Sequence, residues 1–561
     1  MEAYDLKSVK MPYLAGGALK LFVSAVEGPL KGLLAPSLLD SAGLTWLREQ
    51  KFEEMPTNYP IHFTGKMQEK ATSVPTSELP RKQSATKGFH FKSVFDIAKA
   101  YRDGSTSPED VARRVLESIE ASNKNDPTLN AFIAYQADEL MRQASEATQR
   151  IQKKKPLSIL DGVPVAIKDE INVKSYPTTV GTSFLKKVAE EDATVVARLR
   201  NAGALIVGKT NMHEIGIGVT GQNPHHGTPR NPYNTDHYTG GSSSGSATAV
   251  ASGLVPVALG ADGGGSIRIP SSFCGLVGLK PTYGRVSEHG AFPLAWSVDY
   301  IGPLTGSATD AALTYALIAG SDPNDPISLH QPVPSLKDWD NLKLKGLKLG
   351  VYWQWFRHAD PEVVAACEAM LKQFESMGCE IHEITIPDLE ANRVAHLITI
   401  AGEMTHAMNS VYDNVHRFKE HGLDVRTNLA LARQFTATDY ILAQRVRTRM
   451  MRHFHDAFEQ VDMVITPTTA IAAPPIKKGA LPDGDSDLTI LTEIMRFATT
   501  ANFTGHPAIT FPIGYTQKGL PVGMQAIGRP WDESTLLRLA LAAEQVVEHK
   551  EPQIYYNLLG E

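Results

Sequence analysis

From about residue 92 to residue 545, short apolar runs alternate with segments whose apolar positions recur every three to four residues. Runs of the first kind fit buried strands, and the longer period fits helices. Val163 to Ile167 and Ala204 to Gly208 read as strands, with a helix from Asp192 to Asn201 between them. Val255 to Leu259 reads as a strand behind a helix from Ser246 to Ser252. Further on, LKLGVYW from Leu347 and CEIHEITI from Cys379 read as strands around a helix from Pro361 to Met377. A long amphipathic helix from Thr438 to Glu459 runs into the strand Met463 to Ile465. Ser107-Pro108-Glu109-Asp110 is a helix start, with a serine cap, a proline in the first turn and two acids at the positive dipole end. Such alternation predicts an α/β fold: one large domain with a central mixed sheet covered by helices on both faces. No repeat of 20–50 residues interrupts it.

Two N-terminal stretches depart from this pattern. Residues 1–63 read as a helical extension, in which Leu19, Phe22, Val23 and Val26 fall on one helical face. That face is expected to dock on its own domain. Its functional alternative is a helix at a membrane surface or lining an apolar entrance. Residues 64–91 are polar and read as a linker or surface strap. The main domain then spans 92–548, and 549–561 form a tail.

Composition narrows the function classes. The chain has 561 residues, 42% of them hydrophobic, which is enough for a sizeable core. Its formal charge of −6 argues against nucleic acid as the main partner. Only three cysteines occur, Cys274, Cys367 and Cys379, without metal-ligand spacing. A reducing compartment is expected, with no metal and no disulfide framework. No apolar run reaches the roughly 18 residues a spanning helix needs, and the first residues lack the pattern of a signal peptide.

Chemistry concentrates between Gly240 and Arg268, where two Gly/Ser clusters, 240–246 and 263–266, flank a helix and a strand. Glycines after a strand let backbone N–H groups converge, which makes an anion site or an oxyanion hole. Three readings compete. A phosphate-binding loop lacks the G-x-x-x-x-G-K-[ST] spacing, and the G-x-G-x-x-G at Gly216 to Gly221 has no strand leading in and no helix leading out. A nucleophile elbow at Gly241-Ser242-Ser243-Ser244-Gly245 would make Ser243 the nucleophile of a Ser-His-Asp esterase, but Asn234 to Thr239 before it is polar and turn-like. The third reading is a serine hydrolase with a lysine base.

For that third reading the residues match a family. GGSSSGS (240–246) followed by DGGGSIRIP (262–270) resembles the defining block of the amidase signature family. DGVPVAIKD (161–169), ITPTTAIAAPP (465–475) and GLPVGMQAIGRPWDESTLLRLA (519–540) resemble its other segments, in the same order. The resemblance covers roughly 95 to 545 and implies roles residue by residue. Ser266 matches the nucleophile, Ser242 the bridging serine on a cis peptide, and Lys168 the base. Gly263, Gly264 and Gly265, with the Ser266 N–H, match the oxyanion-hole backbone that binds substrate. No cofactor and no metal are implied. Ser244 stands where relatives commonly carry glycine. Asp262 and Arg268 are expected to fix the loop by local hydrogen bonds, and Cys274 to be a buried apolar residue.

The N-terminal segment KMPYL (10–14) through GGALKLFVSAVEGPL, with RNPYNTDHYTGGSSSGSA and FTATDYILAQRVR (435–447), resembles plant-type fatty acid amide hydrolases more closely. This implies hydrolysis of N-acylethanolamines, a homodimer, and peripheral contact with the cytosolic side of the endoplasmic reticulum or plasma membrane, with the cytoplasm as fallback. An acyl chain needs an apolar channel, which the Leu19/Phe22/Val26 helix is expected to help build. The alternatives are a general small-amide or aryl amidase, a glutamine-amidotransferase A-type subunit, and a non-catalytic lipid-amide binding protein.

Overall fold

Among the described residues of the computed structural model (4–64, 67–83, 86–409, 411 and 415–560), eleven strands share one mixed sheet. In chain order they are β1 (Phe132–Tyr135), β2 (Pro164–Lys168), β3 (Leu205–Thr210), β4 (Val257–Ala261), β5 (Val277–Lys280) and β6 (Ile301–Thr305). They continue with β7 (Lys348–Val351), β8 (Glu380–Glu383), β9 (Met463–Pro467), β10 (Ala508–Tyr515) and β11 (Pro521–Gly528). The spatial order is β8-β7-β9-β11-β10-β5-β6-β4-β2-β3-β1. β4, β2 and β3 are parallel, as are β8, β7 and β9, and the strands between these trios pair antiparallel. Parallel neighbours need crossovers. The helices Thr194–Asn201, Ser244–Ala251 and Pro361–Ser376 supply them. The fold is thus mixed α/β, with the large sheet flanked by helices.

The named strands and helices form close to their expected bounds, and Ser107 caps its helix by accepting from Asp110 N. Two differences have physical causes. β8 stops at Glu383 because it is an edge strand whose one partner, β7, ends at the paired residue Val351. The Asn234–Tyr238 segment is not a turn but a short strand, paired with Arg230–Asn231 in a ribbon outside the main sheet.

The N-terminal segment forms the helices Gly16–Glu27, Lys31–Ser41 and Leu44–Glu49. Leu19, Val23 and Val26 are buried, and this helix packs against Leu423–Ala432, where Arg426 clamps Glu27 at 2.6–2.8 Å. Residues 67–83 lie along the main domain, with Gln68 N donating to Leu329 O at 2.7 Å. The chain end is docked too: Tyr556 N donates to Ser252 O at 2.8 Å, and Arg114 to Leu558 O at 2.9 Å. Among the described residues, no helix is long and apolar enough to cross a membrane.

Candidate active site

β2 and β4 run parallel in register from Val165↔Val257 to Ile167↔Leu259, so their carboxyl ends open side by side. Ligand sites of α/β sheets gather at such ends. β2 ends on Lys168, and β4 continues from Ala261 into Asp262-Gly263-Gly264-Gly265-Ser266. The third piece, Gly240 to Ser243, leads into the Ser244–Ala251 helix. It is pinned on three sides. Gly241 N donates to Val219 O at 2.7 Å, His213 N to Ser242 O at 3.0 Å, and Ser243 N to Ser266 O at 3.2 Å. The Gly241–Ser242 peptide is cis. A Cβ on Gly241 would lie 2.7 Å from the Gly221 backbone nitrogen, so this approach requires glycine.

Lys168 and Ser242 meet directly. Lys168 is 1% exposed, and its Nζ donates to Ser242 Oγ at 2.9 Å and to Ala261 O at 3.1 Å. Glu170 Oε2 lies 2.8 Å from the same Nζ. Three acceptors match the three donors of an ammonium. Ser266 joins the group through its backbone. Among the described residues its Oγ makes no hydrogen bond to Ser242 or Lys168, and the residue faces a cavity. Catalytic hydrogen bonds are often long before substrate arrives.

Asp262 and Arg268 hold the glycine turn. Arg268 binds Asp262 through two hydrogen bonds of 3.0 Å, with both side chains fully buried. Asn502 adds a contact at 2.9 Å, and Arg268 also donates to Ala498 O at 3.0 Å. Burial alone would raise the Asp262 carboxyl, but the Arg268 charge and these hydrogen bonds outweigh it and hold the acid well below the usual range. The carboxylate in turn accepts from Gly265 N at 2.6 Å and Ile267 N at 3.0 Å. Gly265 therefore shapes the turn (its φ is +114°) and has no N–H left for a ligand. The N–H groups of Gly263, Gly264 and Ser266 take no partner among the described residues, which leaves them as the candidate oxyanion donors. His396 fixes the other side of the loop, with Nε2 2.8 Å from Gly263 O. Burial pushes its imidazole down to about 4, so it is neutral at pH 7 and donates this bond.

Ser266 and Gly264 stand in the wall of a cavity whose other walls are mostly apolar, among them Ile217, Ile400, Met404, Leu431, Phe435 and Leu491. The N-terminal segment contributes Leu6, Val9 and Ala42 to this wall. Leu19, Phe22 and Val26 do not line it, because their helix turns that face onto Leu423–Ala432. The other sequence candidates fall away from chemistry. Ser243 is fully buried, and its Oγ bridges to the Ala261 carbonyl and amide at 3.2 and 3.3 Å, which ties it to β4. Cys274 is fully buried, and burial raises its thiol far above the usual range. The Gly216–Gly221 loop lines the cavity with Gly216, Ile217 and Val219.

Sequence reading missed Glu170, Asp299, His396 and Asn502. Glu170 sits two residues past Lys168, and that proximity was the only signal. His396 lies on the Leu389–Asn409 helix, which is buried on several sides and so carries no single apolar stripe.

Residues 113–537 match the Amidase family, and the chain belongs to that family. Across 588 aligned positions it is 40% identical to a fatty acid amide hydrolase of Oryza sativa subsp. indica, covering 99% of this chain and 96% of the relative. The A-type subunit of the glutamyl-tRNA(Gln) amidotransferase of Koribacter versatilis is 37% identical over 78% of this chain and 94% of its own. The solved peptide amidase of Stenotrophomonas maltophilia superposes with a TM-score of 0.70 at 28% identity, covering 83% of this chain and 99% of the other.

Proposed function

We propose that this chain is a serine hydrolase that cleaves fatty acid amides, N-acylethanolamines among them, to a free fatty acid and an amine. The observation that carries this reading is the position of Ser266 at the wall of an apolar cavity, on a turn with three N–H groups that take no partner among the described residues. Similarity to the rice enzyme runs through the N-terminal segment, whereas the match to the amidotransferase covers less of the chain. That segment helps wall the cavity, which favours a long acyl group over a small amide.

In this scheme Lys168, in its neutral form, takes the Ser242 proton while Ser242 takes that of Ser266. Ser266 Oγ attacks the amide carbonyl, and the N–H groups of Gly263, Gly264 and Ser266 bind the oxyanion. Lys168, now an ammonium, returns its proton through Ser242 to the leaving nitrogen, which an amine requires to depart. Water then cleaves the acyl-enzyme by the same route.

A panel of N-acylethanolamines from acetyl to eighteen carbons tests the substrate class. Each buried methylene is worth about 0.8 kcal/mol, so kcat/KM should rise about fourfold per carbon until the cavity is filled. A preference for acetyl sinks the fatty-amide reading.

Peripheral membrane contact and a homodimer belong to the same proposal. Leu21 on the first helix, Leu30 in the turn after it and Leu33 on the second helix are 74%, 52% and 76% exposed, and exposed apolar side chains of this kind support contact with lipid. The membranes are those of the endoplasmic reticulum or the cytosolic face of the plasma membrane. Sedimentation with phosphatidylcholine/phosphatidylserine vesicles should carry the wild type down and leave a Leu21/Leu30/Leu33→Ser variant in solution. Light scattering should give twice the chain mass. Wild-type protein left in the supernatant, or a monomer mass, rejects the respective claim.

A further inference from the structure

Lys168 has a buried partner that the serine-serine-lysine scheme does not use. Glu170 Oε2 sits 2.8 Å from Nζ, with both side chains at most 2% exposed. Glu170 is hydrogen-bonded in turn to Asp299. Asp299 accepts from Tyr300 N at 3.0 Å and borders the oxyanion turn, since a Cβ built on Gly263 would lie 3.9 Å from Asp299 Oδ1. Burial and the neighbouring Glu170 charge push the Asp299 carboxyl well above its usual range, which makes it the member of the acid pair that favours the protonated form. Lys168, two acids and the nucleophile turn thus form one contiguous group.

The scheme needs a neutral lysine, yet the geometry around Nζ suits an ammonium beside a carboxylate. Losing the ammonium proton to bulk water would strand the Glu170 charge in a water-poor site, which is costly. Passing it to Glu170 instead turns two buried charges into two neutral groups. We propose that Glu170 is the proton acceptor that makes Lys168 a base, with the Asp299 proton keeping the acid pair from holding two negative charges. The proton moves from Lys168 Nζ to Glu170 Oε2. The freed lone pair on Nζ takes the Ser242 proton as Ser242 takes that of Ser266. The proton count of the site is unchanged, so the base forms without exchange with solvent. The inference rests on the proposed roles of Lys168, Ser242 and Ser266.

Other ionisable groups reach this pair. Asp299 feels Lys168 and Glu288, and Glu288 in turn feels Asp325, Glu170, Glu403 and Lys280. Glu288 is itself pushed well above the usual carboxyl range, mainly by burial. Lys280 is driven well below the usual lysine range by burial, and its Nζ lies 3.5 Å from the Tyr300 ring.

The test is the pH profile of kcat/KM for the full chain on a long-chain N-acylethanolamine. Glu170→Gln keeps the shape and removes the acceptor, so Lys168 must then lose its proton to water. Its acidic limb should move up by about one pH unit or more, with an about tenfold loss at neutral pH that recovers at alkaline pH. Glu170→Asp should restore part of the neutral-pH rate. A uniform loss with an unshifted limb marks a packing role and overturns the proposal, as does an unchanged or downward-shifted limb. Should Glu170→Gln fail to fold, Asp299→Asn decides. Ionisation of Asp299 would hold Lys168 as the ammonium, so the wild type should lose kcat/KM on an alkaline limb that Asp299→Asn lacks, and a wild type without that limb, or its persistence in Asp299→Asn, overturns the proposal. Ser266→Ala run alongside separates the two levels. If that variant still turns over, the site reading itself fails. If it is dead while the Glu170 and Asp299 profiles match wild type, only this inference fails.

Discussion

Ser266→Ala is expected to lower kcat by roughly 10⁴-fold or more and to abolish labelling by a fluorophosphonate. The loss is large because this hydroxyl is the only side-chain group in the scheme that forms a bond to the acyl carbon. Among the described residues Ser266 Oγ makes no hydrogen bond, so the substitution removes none there. Stability should therefore be close to wild type, which separates a chemical loss from a folding one. Ser243→Ala is the control. It removes the tie between the first Gly/Ser cluster and Ala261, so it should cost ~1 kcal/mol of stability while labelling persists. Labelling retained in Ser266→Ala would move the nucleophile elsewhere.

The second large effect is on the fold around the site. Arg268→Met should destabilise the protein by about 3–5 kcal/mol, because it leaves the Asp262 carboxylate buried without its ion partner. The turn that carries Gly265 and Ser266 would loosen with it, so activity should fall even below the melting transition. The effect has a pH signature. Asp262 is held low in the folded chain, so its contribution is fully present above the unfolded carboxylate value of about 3.9 and fades as pH falls toward the folded one. Wild type should lose this stability on acidification, whereas Arg268→Met should show a shallower acid loss. Adding Asp262→Asn to Arg268→Met removes the orphaned charge and should recover part of the stability. Chemical denaturation of the wild type, the two single variants and the double variant between pH 2 and pH 7 reads all of this. Equal stability of wild type and Arg268→Met would show that the buried pair is not what holds the turn.

The sheet was legible where three apolar residues run uninterrupted, as in β2, β3, β4 and β9. It was not legible in β6, where Gly302 and Pro303 sit inside the strand, or in β10, which is bent at Pro512 to Gly514. Helix periodicity correctly gave Leu19, Val23 and Val26 one buried face, but a period does not say which surface that face meets. It meets the Leu423–Ala432 helix rather than the cavity, and the cavity takes Leu6, Val9 and Ala42 instead. Lys168, Ser242 and Ser266 could be singled out because each lies inside a long contiguous motif. Asp299, His396 and Asn502 could not, because they reach the site from the segment before β6, the Leu389–Asn409 helix and the Thr499–Thr504 helix. Only the closure of the sheet brings these together. The motif suggested four oxyanion donors, and the structure leaves three of them as candidates because Asp262 occupies the Gly265 amide.

Peptide mapping of the chain inactivated by a long-chain fluorophosphonate is the most direct measurement of the central claim. One phosphonyl group on Ser266, absent from the Ser266→Ala protein, is the expected result. An adduct on Ser242 or Ser243, or full inactivation with Ser266 unmodified, would contradict it.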